Sequence, residues 1–406
     1  MFFSFCRTYA AETVSSAPRV EARCGLARLF TAAALAVVLL LSSLACDPVD
    51  DRPPPKAAGL NAAVVEPPAG GLLDSEPNIG WTRGEFSVSQ DGAAQYGVPL
   101  WVPAGRGAIT LQLSLSYSSR AGNGLLGVGW SLGGMSTIAW CARTIALDGY
   151  TDAGHFDGTG ALCLNGSRLV PISPAYSPVR EYRTEQESFT RIIAYETQDN
   201  VPNFFRIFTK DGKTLTFGGS AEARVQPFLL VGSPLPDPSL VRMPGAPRAT
   251  TAWLLDRIED RNGNAATVKD TRTEGDAAGR WWTQLRPSQI NYAPNRQVRF
   301  IYEHRPDTID GFSGGTHTRT DMRMKRIEMW GGPQDGTAER LRQYRLRYSV
   351  NGFTGRSLLR LVTECDGADR EPDSESSVTR RCKLAVPFEY SLGSYRFEKI
   401  DVDASR

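Results

Sequence analysis

Apolar and polar positions alternate along residues 109–117, ITLQLSLSY. Ile109, Leu111, Leu113, Leu115 and Tyr117 fall on one side, and Thr110, Gln112, Ser114 and Ser116 on the other. That period of two predicts a half-buried strand. Segments 96–102, 189–195, 204–209 and 297–302 carry similar patterns, enriched in β-branched and aromatic residues. Turn chemistry separates them. Lys210-Asp211-Gly212-Lys213 predicts a tight hairpin between FFRIFT and TLTFGG, and Asp260-Arg261-Asn262-Gly263-Asn264 predicts another between WLLDRIE and AATVKD. Asp-Gly and Asn-Gly supply the positive φ angles that primed turns need. Downstream of the N-terminal apolar run, no amphipathic pattern long enough for a substantial helix appears. The predicted fold class is mostly β, a large antiparallel sheet scaffold built of hairpins.

The one long apolar run, residues 29–45, LFTAAALAVVLLLSSLA, is uncharged and follows Arg19, Arg23 and Arg28. It is shorter than a comfortable bilayer span. Its basic flank and small residues before a cysteine describe an export signal. The run ends Ser43-Leu44-Ala45-Cys46, which resembles a bacterial lipoprotein cleavage box, although Ser43 stands where such boxes prefer an aliphatic residue. The expectation is a leader over residues 1–46 and a lipid on Cys46. A plain secreted product and an uncleaved membrane anchor are the alternatives. Residues 47–80 are rich in Pro, Ala and Gly and lack aromatics, so they read as a tether. Residues 81–406 form the folded body and are long enough for a large core.

The formal net charge is +2, which gives no bulk attraction to nucleic acid. Residues 340–348, RLRQYRLRY, interleave arginine with tyrosine but read more simply as a solvated strand face. His155, His304 and His317 lie far apart in polar surroundings and are expected on surface loops, without a metal. Cys141, Cys163, Cys365 and Cys382 remain after the leader and Cys46, and four cysteines allow three connectivities. The pairs Cys141–Cys163 and Cys365–Cys382 close short loops, and export makes bridging the leading expectation, with buried free thiols the rival. No C-x-x-C pair supports zinc.

Residues 122–127, Gly122-Asn-Gly124-Leu-Leu-Gly127, match the G-x-G-x-x-G of dinucleotide-binding loops, and Asp148 follows at about the expected distance. The context contradicts the match. The strand before it is amphipathic rather than fully apolar. Gly129, Gly133 and Gly134 make a helix after it unfavourable. No nucleotide is expected. The glycines are expected to allow tight turns and close backbone approach around Trp130, packed against the sheet that bears Leu111, Leu113 and Leu115.

Over residues 84–140 the chain carries Gly84, Phe86, Val88, Ser89, Gly92, Ala93, Ala94, Tyr96, Pro99, Val102, Pro103, Gly105, Leu113, Leu115, Tyr117, Gly122, Gly124, Gly127, Gly129, Trp130, Ser131, Leu132 and Gly134, in that order. This series resembles the opening domain of the SpvB / insecticidal toxin-complex B-component family. The stretch FDGTGALCLNGSRLV, with Cys163 and Leu169, is also similar to it, and residues 200–390 resemble it more loosely, through hairpins of the RHS/YD-repeat kind. The resemblance implies a β-rich scaffold, part of an RHS-like shell around a toxic polypeptide, with toxin-complex or RHS-type components as partners and no catalytic residues. Relatives usually continue into FG-GAP-like repeats, so on this expectation the chain is a fragment, a split product or a stand-alone module.

Some relatives carry an ADP-ribosyltransferase domain. Glu185-Gln186-Glu187 has the form of its Glu-x-Glu pair, but the Ser-Thr-Ser strand is missing. The H-E-x-x-H motif is absent as well. The reading is a lipid-anchored, non-catalytic scaffold with no cofactor. The alternative is a surface carbohydrate- or protein-binding module that uses exposed aromatics such as Trp281, Trp282 and Trp330.

Overall fold

The structure is a computed structural model, and it describes residues 80–152, 155–156, 158–173, 179–196, 201–227, 249–277, 280–313, 316–333, 336–369 and 381–390. All of them belong to the second of two units into which the chain divides, Ala62–Arg406. The expected leader, Cys46 and most of the tether lie outside the described residues. Among the described residues no helix is long and apolar enough to cross a membrane.

The body is mostly β, as the alternation predicts. A four-stranded antiparallel sheet opens it. β1 (Glu85–Val88), β2 (Ala94–Leu100), β3 (Leu113–Ser118) and β6 (Trp130–Gly133) lie in that order, and the short pair β4 (Asn123–Gly124) and β5 (Gly127–Val128) is inserted before β6. The regular part of the alternating segment is shorter than its pattern, because residues 109–112 form no ladder. The alternation in burial still holds: Ile109, Leu113 and Leu115 are buried, while Thr110 and Gln112 are exposed.

The next eight long strands close on themselves. β7 (Thr137–Cys141), a four-residue helix α1 (Ile145–Asp148), β8 (Ala161–Leu164), β9 (Ser167–Pro171), β10 (Val179–Thr184), β11 (Arg191–Glu196), β12 (Pro202–Phe208) and β13 (Thr214–Phe217) follow. β14 (Arg224–Val225) pairs with β15 (Ala252–Glu259). β15 then pairs with β13 through residues 255–259 and with β7 through residues 252–254, so β7 to β13 and β15 form a closed circuit. Its interior holds Ile138, Leu162, Leu169, Tyr182, Ile192, Ala194, Phe205, Ile207, Phe217, Trp253 and Leu255. Trp253 is fully buried, and its indole N–H donates to the Pro202 carbonyl at 2.9 Å, so its polar atom is satisfied inside an apolar core.

The end of β15 also starts a second run of antiparallel strands: β16 (Ala265–Ala277), β17 (Arg280–Asn291), β18 (Gln297–Ser313), β19 (Thr316–Gly331), β20 (Glu339–Val350), β21 (Ser357–Asp366) and β22 (Val386–Pro387). The opening sheet packs on this run. Val98, Leu100, Leu113, Leu115 and Trp130 meet Val268, Ile290, Val298, Phe300, Ile327, Met329, Tyr344 and Leu346 in one core. Burying two facing sheets in this way is the main stabilising term of a sandwich.

The turns differ in one respect from the expectation. At Gly212 and Gly263 only the glycine has a positive φ, and Thr209 and Asp260 donate backbone N–H bonds to Lys213 and Asn264. These are longer hairpin loops with one left-handed glycine, not two-residue primed turns. Asn165-Gly166 between β8 and β9 is the primed turn, with φ of 50° and 86°. Phe189 also departs from expectation: it stands in a left-handed turn (φ 54°) rather than in a strand.

Candidate functional site

The glycine-rich stretch is the densest motif of the sequence, and the structure spends it on packing. Asn123 pairs with Val128 and Gly124 with Gly127, so β4 and β5 form a small hairpin with Leu125 and Leu126 at its tip. Leu126 is fully buried in the sandwich core, and the Leu125 carbonyl accepts the Met324 N–H of β19 at 2.8 Å. No helix begins near Gly127. At Gly129 (φ 82°) a side chain would enter the ring of Tyr117, and at Gly127 (φ 84°) it would meet the Ser357 carbonyl. Only glycine fits both the backbone angle and the space.

Trp130 belongs to the sheet itself rather than lying across it, paired with Tyr117 of β3. Its ring stands 5.4 Å from Tyr117 and 4.7 Å from Phe388, and its indole N–H donates to the Tyr390 hydroxyl at 2.9 Å. Burial pushes the Tyr390 hydroxyl up to about 12, so it stays protonated and donates to the Leu359 carbonyl. No local pattern marks Phe388 and Tyr390 as partners, because Tyr390 lies 260 residues from Trp130.

A buried ion pair fixes the hairpin to the long sheet. Arg305 and Asp307 of β18 have side chains 0% and 9% exposed. Arg305 donates to both Asp307 oxygens, at 3.1 and 2.9 Å, to the Gly124 carbonyl at 2.8 Å and to Asn123 Oδ1 at 2.7 Å. Asp307 accepts Asn123 Nδ2 at 2.9 Å, the Ser357 N–H at 2.7 Å and the Ser357 hydroxyl. Burial alone would raise the Asp307 carboxyl. The bonds from Arg305, Ser357 and Asn123 outweigh it and hold the group well below the ordinary carboxylate range. Both charges are saturated by protein groups, so the site offers no open valence to a ligand.

Asp148 is likewise engaged by protein groups. It accepts the Thr144 N–H at 2.9 Å and pairs with Arg168 at 2.6 Å and Arg143 at 3.4 Å. The Thr144 bond, followed by the two arginines, lowers its pKa against a partial desolvation. It closes α1 onto β9, so its role is structural.

Other expectations also shift. His317 is not a loop residue but lies in β19, 3% exposed, bonded to Asp310 at 2.9 Å and stacked on Phe312. His155 is exposed and pairs with Asp152. The arginine strand, β20, is not a solvated face: Tyr344 and Leu346 are core residues, while Arg340, Arg342 and Arg345 pair with Glu328, Glu364 and Asp369. Trp282 is buried, and Trp330 is half-buried, donating to Glu328 at 3.0 Å under the Arg299 guanidinium. The Trp281 side chain lies outside the described residues. These two tryptophans therefore offer no exposed aromatic platform. Glu185-Gln186-Glu187 lies in the turn between β10 and β11, where Glu187 accepts the Phe189 N–H.

Disulfides join Cys141 to Cys163 and Cys365 to Cys382, with Cα separations of 5.9 and 4.0 Å. Sequence reading missed one buried acid pair. Asp256 and Asp270, on β15 and β16, are both buried, and neither Asp270 oxygen has a hydrogen-bond partner among the described residues. Desolvation, then the neighbouring Asp256, pushes the Asp270 carboxyl up to about 7.

A family model described as SpvB, Salmonella virulence plasmid 65kDa B protein, matches residues 88–295. Among solved structures the fold is similar to TcdB2-TccC3, with a TM-score of 0.54 and 19% identity over 74% of this chain and 17% of that one. It is similar to the N-terminal domain of effector protein SpvB from Salmonella typhimurium strain LT2, with a TM-score of 0.53 and 18% identity over 66% of this chain and 98% of that one. A Tc holotoxin pore structure from Photorhabdus luminescens aligns with a TM-score of 0.51 and 19% identity, over 73% of this chain and 16% of that one. The chain thus spans less than a fifth of the length of the toxin-complex chains it matches. No curated protein matches the chain.

Proposed function

The chain belongs to the SpvB family, that of the Salmonella virulence plasmid 65kDa B protein, and on that footing we propose that it is a non-catalytic structural scaffold of an exported toxin-complex assembly. In this reading it forms part of a shell or assembly surface for a toxic polypeptide, with toxin-complex or RHS-type components as partners. A diacylglyceryl group on Cys46 and the tether over residues 47–80 hold the body near a membrane.

The observation that carries the reading is the use made of the polar groups around the glycine motif. Arg305, Asp307, Asn123 and Ser357 bond to one another and to the backbone of the hairpin, with their capacity spent on fixing a loop. A catalytic constellation keeps a group poised toward an open reacting position. This one joins two sheets. The likeness of the fold to TcdB2-TccC3 and to the SpvB N-terminal domain supports the same assignment.

The test is co-expression of the full chain with a TccC3-type polypeptide. A stable complex that co-elutes in size exclusion is expected. Separate elution of two folded proteins would sink the assembly role. Release of nicotinamide from NAD by the purified chain would sink the non-catalytic one. Mass spectrometry of the mature N-terminus should find a diacylated Cys46.

A further inference from the structure

The two disulfides do different mechanical jobs. Cys141 and Cys163 lie on β7 and β8, which are already laddered to each other through Ile138–Leu164, Ala139–Cys163, Trp140–Leu162 and Cys141–Ala161. Their bridge repeats a constraint the closed circuit supplies. Cys382 is paired with Cys365 only as an isolated β-bridge, in a segment, residues 381–390, that crosses β21 as a strap and contributes only two residues of regular strand.

The strap makes a short series of contacts beside the bridge. Asp366 donates its N–H to the Arg381 carbonyl at 2.8 Å, and Lys383 to that of Glu364 at 2.8 Å. Leu384 and Thr82 bond the strap to the first residues of the body, Leu384 N–H to the Gly80 carbonyl at 2.9 Å and Thr82 N–H to the Leu384 carbonyl at 3.1 Å. At its far end Phe388 lies edge-on to Tyr96 and Trp130, and Tyr390 caps the Trp130 indole. The strap therefore covers the aromatic end of the opening sheet and clasps the entry of the chain into the body.

The two cysteines are unequally exposed. Cys365 is 2% exposed, and Cys382 is half-buried. An incoming thiolate meets Cys382 first. We propose that Cys365–Cys382 is a thiol-exchange site, and that its reduction by a small-molecule thiol frees the strap and bares Tyr96, Tyr117 and Trp130. The thiolate RS⁻ forms a bond to Cys382 Sγ, and the Cys382–Cys365 bond breaks with its electron pair on Cys365, which takes a proton from water. A second thiolate attacks the mixed disulfide, releases Cys382 as a thiolate and leaves RSSR. Two thiols are oxidised to one disulfide, and the protein disulfide is reduced to two thiols. In an oxidising medium the strap is clamped. In a medium rich in reduced thiol the same chain presents an aromatic face and a loosened N-terminal entry. The exchange needs no partner beyond the thiol, so its outcome is independent of the scaffold role.

The test uses the full oxidised chain, incubated with and without millimolar reduced glutathione. Differential alkylation reports which bridge has opened, and hydrogen exchange is read by mass spectrometry. Once Cys365–Cys382 is reduced, amides of Lys383, Leu384 and Phe388 should exchange roughly a hundredfold faster, the chain-entropy effect of a bridge over a loop of this length. Amides of β7 and β8 should keep their rates. The Cys365→Ser/Cys382→Ser double variant should show fast strap exchange without glutathione and no response to it. Reduction of the wild-type bond after folding tests the same point if that variant does not fold. Three results would overturn the proposal: a bridge that glutathione leaves closed, strap rates unchanged after proven reduction, or faster exchange spread through both cores.

Discussion

Gly129 and Gly166 share a left-handed backbone, φ 82° and 86°, but not their surroundings. Nothing lies within 4 Å of a side chain built on Gly166, whereas one on Gly129 enters the Tyr117 ring. Gly166→Ala should therefore lose only the backbone term, about 1–2 kcal/mol. Gly129→Ala should lose clearly more, because Tyr117 must leave Trp130. Equal shifts in urea midpoint would refute the crowding. Arg305 and Asp307 pose a sharper case. Asp307→Ala leaves a fully enclosed guanidinium without its counter-charge and should lose about 3–5 kcal/mol. The paired replacement Arg305→Met/Asp307→Leu should lose less than that single change, since no buried charge remains. If the double variant is the worse of the two, the pair contributes net stability of its own rather than a mutual need.

Reducing Cys141–Cys163 by a Cys141→Ser/Cys163→Ser change should lower stability by about 3 kcal/mol while strand content by circular dichroism stays as it is, because the β7–β8 ladder persists. A loss of strand signal would make the bridge a requirement of the ring. At this scale much was legible in the sequence. Alternation located β2, β3, β11 and β12, and the Asp-Gly and Asn-Gly loops located two hairpins. The long strands were less so. β17 contains Pro287 and β18 contains Pro306, residues that argue against a strand interior. The structure admits them beside register shifts, at Lys269/Asp270 opposite Pro287 and between His304 and Ile309. The closure of the ring was not legible, because it depends on β15 pairing with two strands more than 30 residues upstream of it. The Arg305–Asn123 lock was hidden for the same reason. Its halves lie 182 residues apart, and neither half carries a local pattern.

Among the described residues two β cores are joined through β15, and the buried acids Asp256 and Asp270 sit on β15 and the strand beside it. An acid whose carboxyl has no partner is tolerated only in its neutral form, and desolvation accordingly lifts Asp270 to about 7. The sign of the consequence follows from proton counting. Between the ordinary carboxylate value, about 4, and about 7, the unfolded chain has released this proton and the folded chain still holds it. Stability should fall as pH rises through that window, then level off. The contribution is at most about 4 kcal/mol, from three units at 1.36 kcal/mol each. Asp307 acts in the opposite sense: its depressed carboxyl contributes stability that is lost only in acid, below the ordinary value. The two windows do not overlap, so a change at Asp270 leaves the Asp307 contribution in place. Asp270→Asn should remove much of the decline between about pH 4 and pH 7, and should be more stable than the parent at about pH 8 while matching it near pH 4. Urea unfolding of both proteins across this range measures the difference directly. Parallel profiles would mean that Asp270 ionises freely in the folded state, and the junction between the two cores would then be wetter than its burial indicates.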